Sequence, residues 1–430
     1  MKKYWPAFLL ALSFSASAQN VRIEFWHTFG DELRFDWIQA RADAYNEAHP
    51  DVEVVPVYKG VSDETLQGAV LAARQGQAPA LVQVDGVSSQ LALDSGVFQP
   101  VSDVKDVDFS DYIEPVISYY TVGGKVNSIP FNASSPVLYF NKNLMTEAGL
   151  DPDAPPTTFA GIMDTCETFA AADTGATCVA LTPYSWLFEE WMSQQNAELL
   201  NNGNGREARA TASNIDSEAG RAVFQFYKDL NDQGYLTNTG TLADTTGTNA
   251  IFSEQQALMT INSTAGLGNL LAAAEESGFD LGVGEMPVPD DASRNGVSIG
   301  GASVWVSATA EAPEAEAALD FALFLTDTEN MADWHEVTGY YPVRTSSVNL
   351  LRDEGWFDSN PLQVVAFNQL LETKPNIANA GPLTGANIEM RTLIEQNIQK
   401  VLSGQDVAEV AQTAQTQVDA ALVEYNKNFE

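Results

Sequence analysis

The 430-residue chain carries 58 Asp and Glu against 21 Lys and Arg, a net charge of −37, which argues against nucleic acid or anionic membrane as a partner. An apolar content of 45% with frequent aromatics excludes a disordered acidic chain. Its length exceeds what one hydrophobic core holds, so two lobes are expected. The acidity describes a well-solvated surface, suited to salty surroundings where repulsion is screened.

The first residues, MKKYWPAFLLALSFSASA, join two lysines, an apolar run from Tyr4 to Leu12 and a small-residue Ala16-Ser17-Ala18 ending. That is the pattern of a cleaved secretory signal over residues 1–18. The run is too short for the ~20 residues that span a bilayer, and no cysteine near the cleavage point offers a lipid anchor. The mature chain is expected to start near Gln19 in an exported compartment, the periplasm.

From Val21 the segment VRIEFWHTFG alternates as a strand, and the following residues place Leu33, Trp37, Ala40, Ala44 and Tyr45 at helical spacing. Val52 to Val57 predicts a second strand, SDETLQGAVLAARQGQ a helix capped by Ser62 or Asp63, and PALVQVD a third strand. This βαβαβ beginning predicts an α/β fold with a mostly parallel sheet covered on both faces. A loop of small residues, FNASSP, leads into a strand at Val137 to Phe140, and the chain to about Thr260 is mainly helical. ALMTIN is a short strand, GVSIGGASVWVS a strand interrupted by Gly300-Gly301, and helices such as MRTLIEQNIQKVLS fill the rest.

Catalytic signatures are missing from the sequence: it holds no GxSxG, no HExxH, no phosphate loop and no dinucleotide-binding glycine pattern. His27, His49 and His335 lie far apart without metal-ligand spacing, so no metal and no cofactor are expected. Carboxylate pairs such as Glu189-Glu190 arise by chance in so acidic a chain, although two placed carboxylates would suffice for an exported hydrolase. Cys166 and Cys178 either form a disulfide, favoured by an oxidising compartment, or remain two buried thiols. What remains is a set of donors at element junctions: Ser134 before a strand, Ser263 after one, Gly301 within one, Tyr340 after a helix and Arg391 near a helix start. Each is a place where hydroxyls, N–H groups or a guanidinium can face an anion.

The stretches EFWH, VPVYKG, APALVQV, FNASSPVLYFNKN, IGGASVWV, WHEVTGYYPVR and MRTLIEQNIQKVLSGQ, in this order from about Val21 to Leu422, resemble the periplasmic sn-glycerol-3-phosphate-binding proteins of ATP-binding-cassette importers, of the maltose-binding-protein type. The resemblance implies a two-lobed type II periplasmic-binding-protein fold, ligand between the lobes, and hinge closure. It implies a non-enzymatic monomer that captures sn-glycerol 3-phosphate, or a glycerophosphodiester such as glycerophosphocholine, and hands it to membrane permease subunits. A sugar or polyol receptor of the same fold is the alternative. The expected lobes are residues 19–131 with 265–307, and 132–264 with 308–430.

Residue by residue, the resemblance assigns the phosphate to Ser134, Ser263, Gly301, Tyr340 and Arg391, and packs Trp186 near the glycerol. Two positions depart from the family: Ser62 replaces a tyrosine after YKG, and Gly86 replaces a glutamate after VQV. Asp85 could supply a carboxylate there if the strand has ended before it, since adjacent strand residues face opposite ways. The glycerol or head-group set is therefore Trp186, Asp85, Gly86 and Ser62, with space freed for a larger diester.

Overall fold

The structure, a computed structural model, describes residues 21–292 and 294–429, without the side chains of Ser62 and Asp63. The expected signal, residues 1–18, lies outside them. Among the described residues the strands are β1 (Val21–His27), β2 (Val52–Tyr58), β3 (Leu81–Asp85), β4 (Phe98–Gln99), β5 (Thr121–Val122), β6 (Lys125–Val126), β7 (Ile129–Ser134), β8 (Pro136–Asn141), β9 (Thr177–Ala180), β10 (Leu236–Thr237), β11 (Ala257–Ser263), β12 (Leu281–Glu285) and β13 (Gly300–Ser307). They build two main sheets, ordered β2-β1-β3-β13-β4 with β7 beside β13, and β10-β9-β11-β8-β12. Two sheets, each with its own helices, make the two-lobed α/β fold.

In the first sheet β1 pairs parallel with β2 and β3, while β13 runs antiparallel to β3 and β7. Alternation in β1 sends Ile23, Phe25 and His27 to one face and Trp26 to the other, where it packs with Val82, Val84 and Trp305. Both faces are covered, as a parallel sheet requires. The helix Glu32–Ala48 is capped by Asp31, whose carboxylate accepts from the Arg34 N–H at 3.1 Å. It buries Trp37, Ile38, Ala42 and Tyr45. Leu33, expected on that face, is 55% exposed, and Ala40 and Ala44 also face outward; the buried stripe is Trp37, Ile38, Ala42 and Tyr45 instead. The expected cap at Ser62 or Asp63 is also displaced, since the helix Ser62–Arg74 starts at Ser62 itself and Glu64 accepts from the Val61 N–H.

The lobes differ from expectation at β12 and over the helices between Ala312 and Glu372, which add Trp334, Val348 and Phe367 to the core that holds β1 and β7. β12, expected in the first lobe, pairs with β8 in the second sheet. Gly282 makes this possible, because a side chain there would strike the Phe140 ring. The helix Ala312–Leu325, expected in the second lobe, lays Ala315, Ala318, Leu319 and Ala322 into the core under β1 and β7. Only the helices Asn387–Leu402 and Val407–Asn426 of the C-terminal third join the second core.

The chain passes between sheets at Ser135, between β12 and β13, and between the helices Pro361–Glu372 and Asn387–Leu402. Buried polar side chains tie these passages together. Gln369 donates to Ser135 Oγ at 3.2 Å and to the Pro136 carbonyl at 2.8 Å, and accepts from the Met286 N–H at 2.7 Å. Ser135 also bonds the Tyr341 hydroxyl at 2.8 Å, and its carbonyl accepts from the Thr264 N–H at 3.0 Å. Cys166 and Cys178 are joined by a disulfide that links the helix Phe159–Ala171 to β9.

Candidate ligand-binding site

A cavity of about 130 Å³ opens where the C-terminal ends of β3, β7 and β11 face the start of β13 and the helix carrying Arg391. Asp85, Gly86, Ser134, Trp186, Ser263, Gly301 and Arg391 line it, together with Val87, Tyr119, Tyr184, Glu189, Ser298, Ile299, Gly300 and Pro382. Segments from both ends of the sequence thus converge on one space. β3 ends at Asp85, and a single 3-10 turn begins at Gly86. The opposite-face rule for strands no longer applies there, which is why both residues reach the cavity.

Gly301 has φ +121 and lies against β7, so a Cβ there would come 2.0 Å from the Asn132 carbonyl oxygen. Only glycine fits that approach. Gly86 has a different cause: a Cβ would meet the Tyr119 ring at 2.9 Å. The space expected to be free beside Gly86 is filled by Tyr119, which corrects the freed-space expectation at that position.

Trp186 lies in the helix Ser185–Gln194 and is 6% exposed. The start of this helix is held by Glu395, which accepts from Ser185 Oγ at 2.7 Å and from the Ser185 N–H at 3.3 Å. One turn on, Glu189 grips Arg391: Nε donates to Oε1 at 2.7 Å and Nη2 to Oε2 at 2.6 Å. Burial opposes the charge on Arg391, but the adjacent Glu189 carboxylate more than offsets it, and the guanidinium pKa is raised above its ordinary value. Glu190 is fully buried and accepts from the Ser298 N–H at 2.9 Å, while its Oε1 has no partner among the described residues. Burial, with the Glu189 charge beside it, pushes the Glu190 carboxyl well above the usual range.

One expected ligand contact, Tyr340, stands apart from the cavity. Tyr340 is not among its lining residues; the ring stacks on Trp334 at 5.7 Å and its hydroxyl accepts from Arg34 Nη1 at 3.5 Å. The Gly339 turn after the helix Thr328–Thr338 directs it into that aromatic cluster. Ser62 opens its helix, and its side chain is not described; the neighbouring Val61 lines a second, outer cavity that shares Asp85, Val87 and Arg391 with the first. Tyr119, Tyr184 and Glu189 were missed by sequence reasoning. For Glu189 the signal was present, as a carboxylate one turn from Trp186 on the same helix face.

Among the histidines, His49 is exposed at its helix end and His335 is buried with Nδ1 bonded to the Tyr340 carbonyl at 2.8 Å. His27 is buried, and neither of its ring nitrogens has a partner among the described residues.

The fold defines a two-lobed receptor of the type II periplasmic-binding-protein class, with its polar cavity at the strand ends where the lobes meet. The chain belongs to the family of bacterial extracellular solute-binding proteins, whose pattern matches residues 40–363. It is 33% identical over 418 residues to the sn-glycerol-3-phosphate-binding periplasmic protein UgpB of Yersinia enterocolitica, covering 94% of this chain and 92% of that protein. It is 32% identical to the protein of the same name from Salmonella typhimurium, with the same coverage. Among solved structures, UgpB from Mycobacterium tuberculosis in complex with glycerophosphocholine superposes with a TM-score of 0.78 at 21% identity, covering 94% of this chain and 98% of that one. The cyclic alpha-maltosyl-1,6-maltose binding protein of Arthrobacter globiformis gives 0.78 at 24% identity, covering 94% and 99%. Such distant likenesses carry the fold, whichever ligand each structure holds.

Proposed function

We propose that this protein captures sn-glycerol 3-phosphate or a glycerophosphodiester in the periplasm and delivers it to the permease subunits of an ATP-binding-cassette importer, acting as a monomer after removal of residues 1–18. The observation that carries this reading is the set of donors around one cavity. Ser134, Ser263, Gly301 and Arg391 belong to four separate segments and line the same space. Hydroxyls and an N–H give neutral hydrogen bonds, and arginine adds a planar charged fork matched to phosphate oxygens. Trp186 and Tyr184 offer apolar faces to the carbon skeleton. Tyr340 acts from beside the cavity, as a positioning group rather than a direct ligand.

The relatives' role as binding proteins supports transport over hydrolysis. In a hydrolase of this site Glu189 would need to be available to substrate, and here both its oxygens accept from Arg391. The test is native mass spectrometry of protein purified without refolding, followed by release of the bound molecule. A glycerol phosphate or its diester is the expected species. A released oligosaccharide with no phosphorus would count against the reading.

A further inference from the structure

We infer that Glu189 sets the charge of the ligand, so that the pocket takes a singly charged phosphodiester in preference to a doubly charged phosphomonoester. This rests on the proposed role as a glycerol phosphate receptor. The charged groups lining the cavity are Asp85, Glu189 and Arg391, two carboxylates and one guanidinium. Arg206, the other cation close by, donates to the carbonyls of Tyr119, Ala380 and Gly381 and does not line the space.

Glu189 takes two of the five guanidinium N–H donors, one on Nε and one on Nη2, at 2.7 and 2.6 Å. Those are donors that two phosphate oxygens would otherwise take side by side. Glu189 is 7% exposed, so water screens its charge poorly. An incoming phosphate must share Arg391 with this carboxylate or displace it. A phosphomonoester near neutral pH carries ~1.5 to 2 negative charges, whereas a diester carries one, and the repulsion from Glu189 and Asp85 grows with that charge. The groups that act on Glu189 are Arg391 and Glu395 on one helix, Glu190 on its own helix with Tyr184 at that helix's N-cap, and Tyr119 at the end of the helix Glu114–Tyr119.

The test titrates glycerol 3-phosphate and glycerophosphocholine into the mature protein and into Glu189→Gln at pH 7.5, and repeats both ligands with the unaltered protein at pH 5. The amide keeps the size of the side chain and removes its charge. The expected results are at least tenfold tighter binding of the diester by the unaltered protein, and a gap narrowed at least fivefold in Glu189→Gln through tighter binding of the monoester. At pH 5, below the second phosphate pKa of about 6, the unaltered protein should gain several-fold for the monoester and change little for the diester, a comparison that needs no variant. Equal affinities in the unaltered protein, or a gap that neither the Glu189→Gln substitution nor pH alters, would overturn the inference and leave the receptor reading intact. Binding of neither ligand under any condition would overturn both.

Discussion

His27 ends β1 with its ring fully buried between Phe25, Phe35 and Tyr58. Burial alone lowers its pKa from 6.5 to about 4, so the folded protein holds it neutral. Below pH 6.5 the unfolded chain takes up a proton that the folded one refuses. The contribution is therefore complete above pH 6.5 and lost as pH falls toward 4, and it amounts to at most about 3 kcal/mol. Replacing His27 with Phe should flatten the fall in unfolding free energy between pH 7 and 4.5 relative to the parent protein, measured by urea titration. An unchanged slope would show that His27 takes up its proton alike in the folded and unfolded chain, and would contradict its being held neutral by burial. At the same scale, the positions legible in the sequence were those that an ordered resemblance assigns one by one, such as Ser134, Trp186 and Arg391. Glu189 was legible only as a carboxylate one turn from Trp186, because counting carboxylates in an acidic chain does not say which one faces an arginine 202 positions away.

Between elements, the passages from lobe to lobe join the two sheets that flank the cavity. Gln369 is 4% exposed and serves three groups at these passages: the Ser135 hydroxyl, the Pro136 carbonyl and the Met286 N–H. Gln369→Ala strands buried backbone groups that no water reaches, each costing about 1–3 kcal/mol. The variant is expected to lose at least about 2 kcal/mol of unfolding free energy and to change the ligand-dependent closure seen by small-angle scattering. A loss below about 0.5 kcal/mol, the size of an ordinary surface substitution, would mean that the passages are not held by this side chain. Element order was largely legible, since β1, β2 and β3 alternate with helices as a βαβαβ run must. Lobe membership was not. β12 and the helix Ala312–Leu325 are apolar enough for either core, and their assignment depends on partners such as Phe140 and β1 that sequence periodicity does not name.

For the molecule as a whole, a net charge of −37 and a site for a phosphate are compatible because they act over different distances. Surface charge is screened within about 8 Å at physiological ionic strength, while the proposed phosphate donors, Ser134, Ser263, Gly301 and Arg391, would act in direct contact. The acidity does reappear inside, as Asp85 and Glu189 in the cavity wall. Calorimetric titration of the mature protein and of Arg391→Ala with glycerol 3-phosphate, glycerophosphocholine and maltose tests the phosphate account most directly. One equivalent of a glycerol phosphate ligand should bind the parent protein, and maltose should not. Arg391→Ala should bind that ligand at least tenfold more weakly, since a charge-assisted hydrogen bond contributes ~1.5–3 kcal/mol and the Glu189 carboxylate is left unopposed. Binding of maltose alone, with an affinity indifferent to Arg391→Ala, would contradict the account.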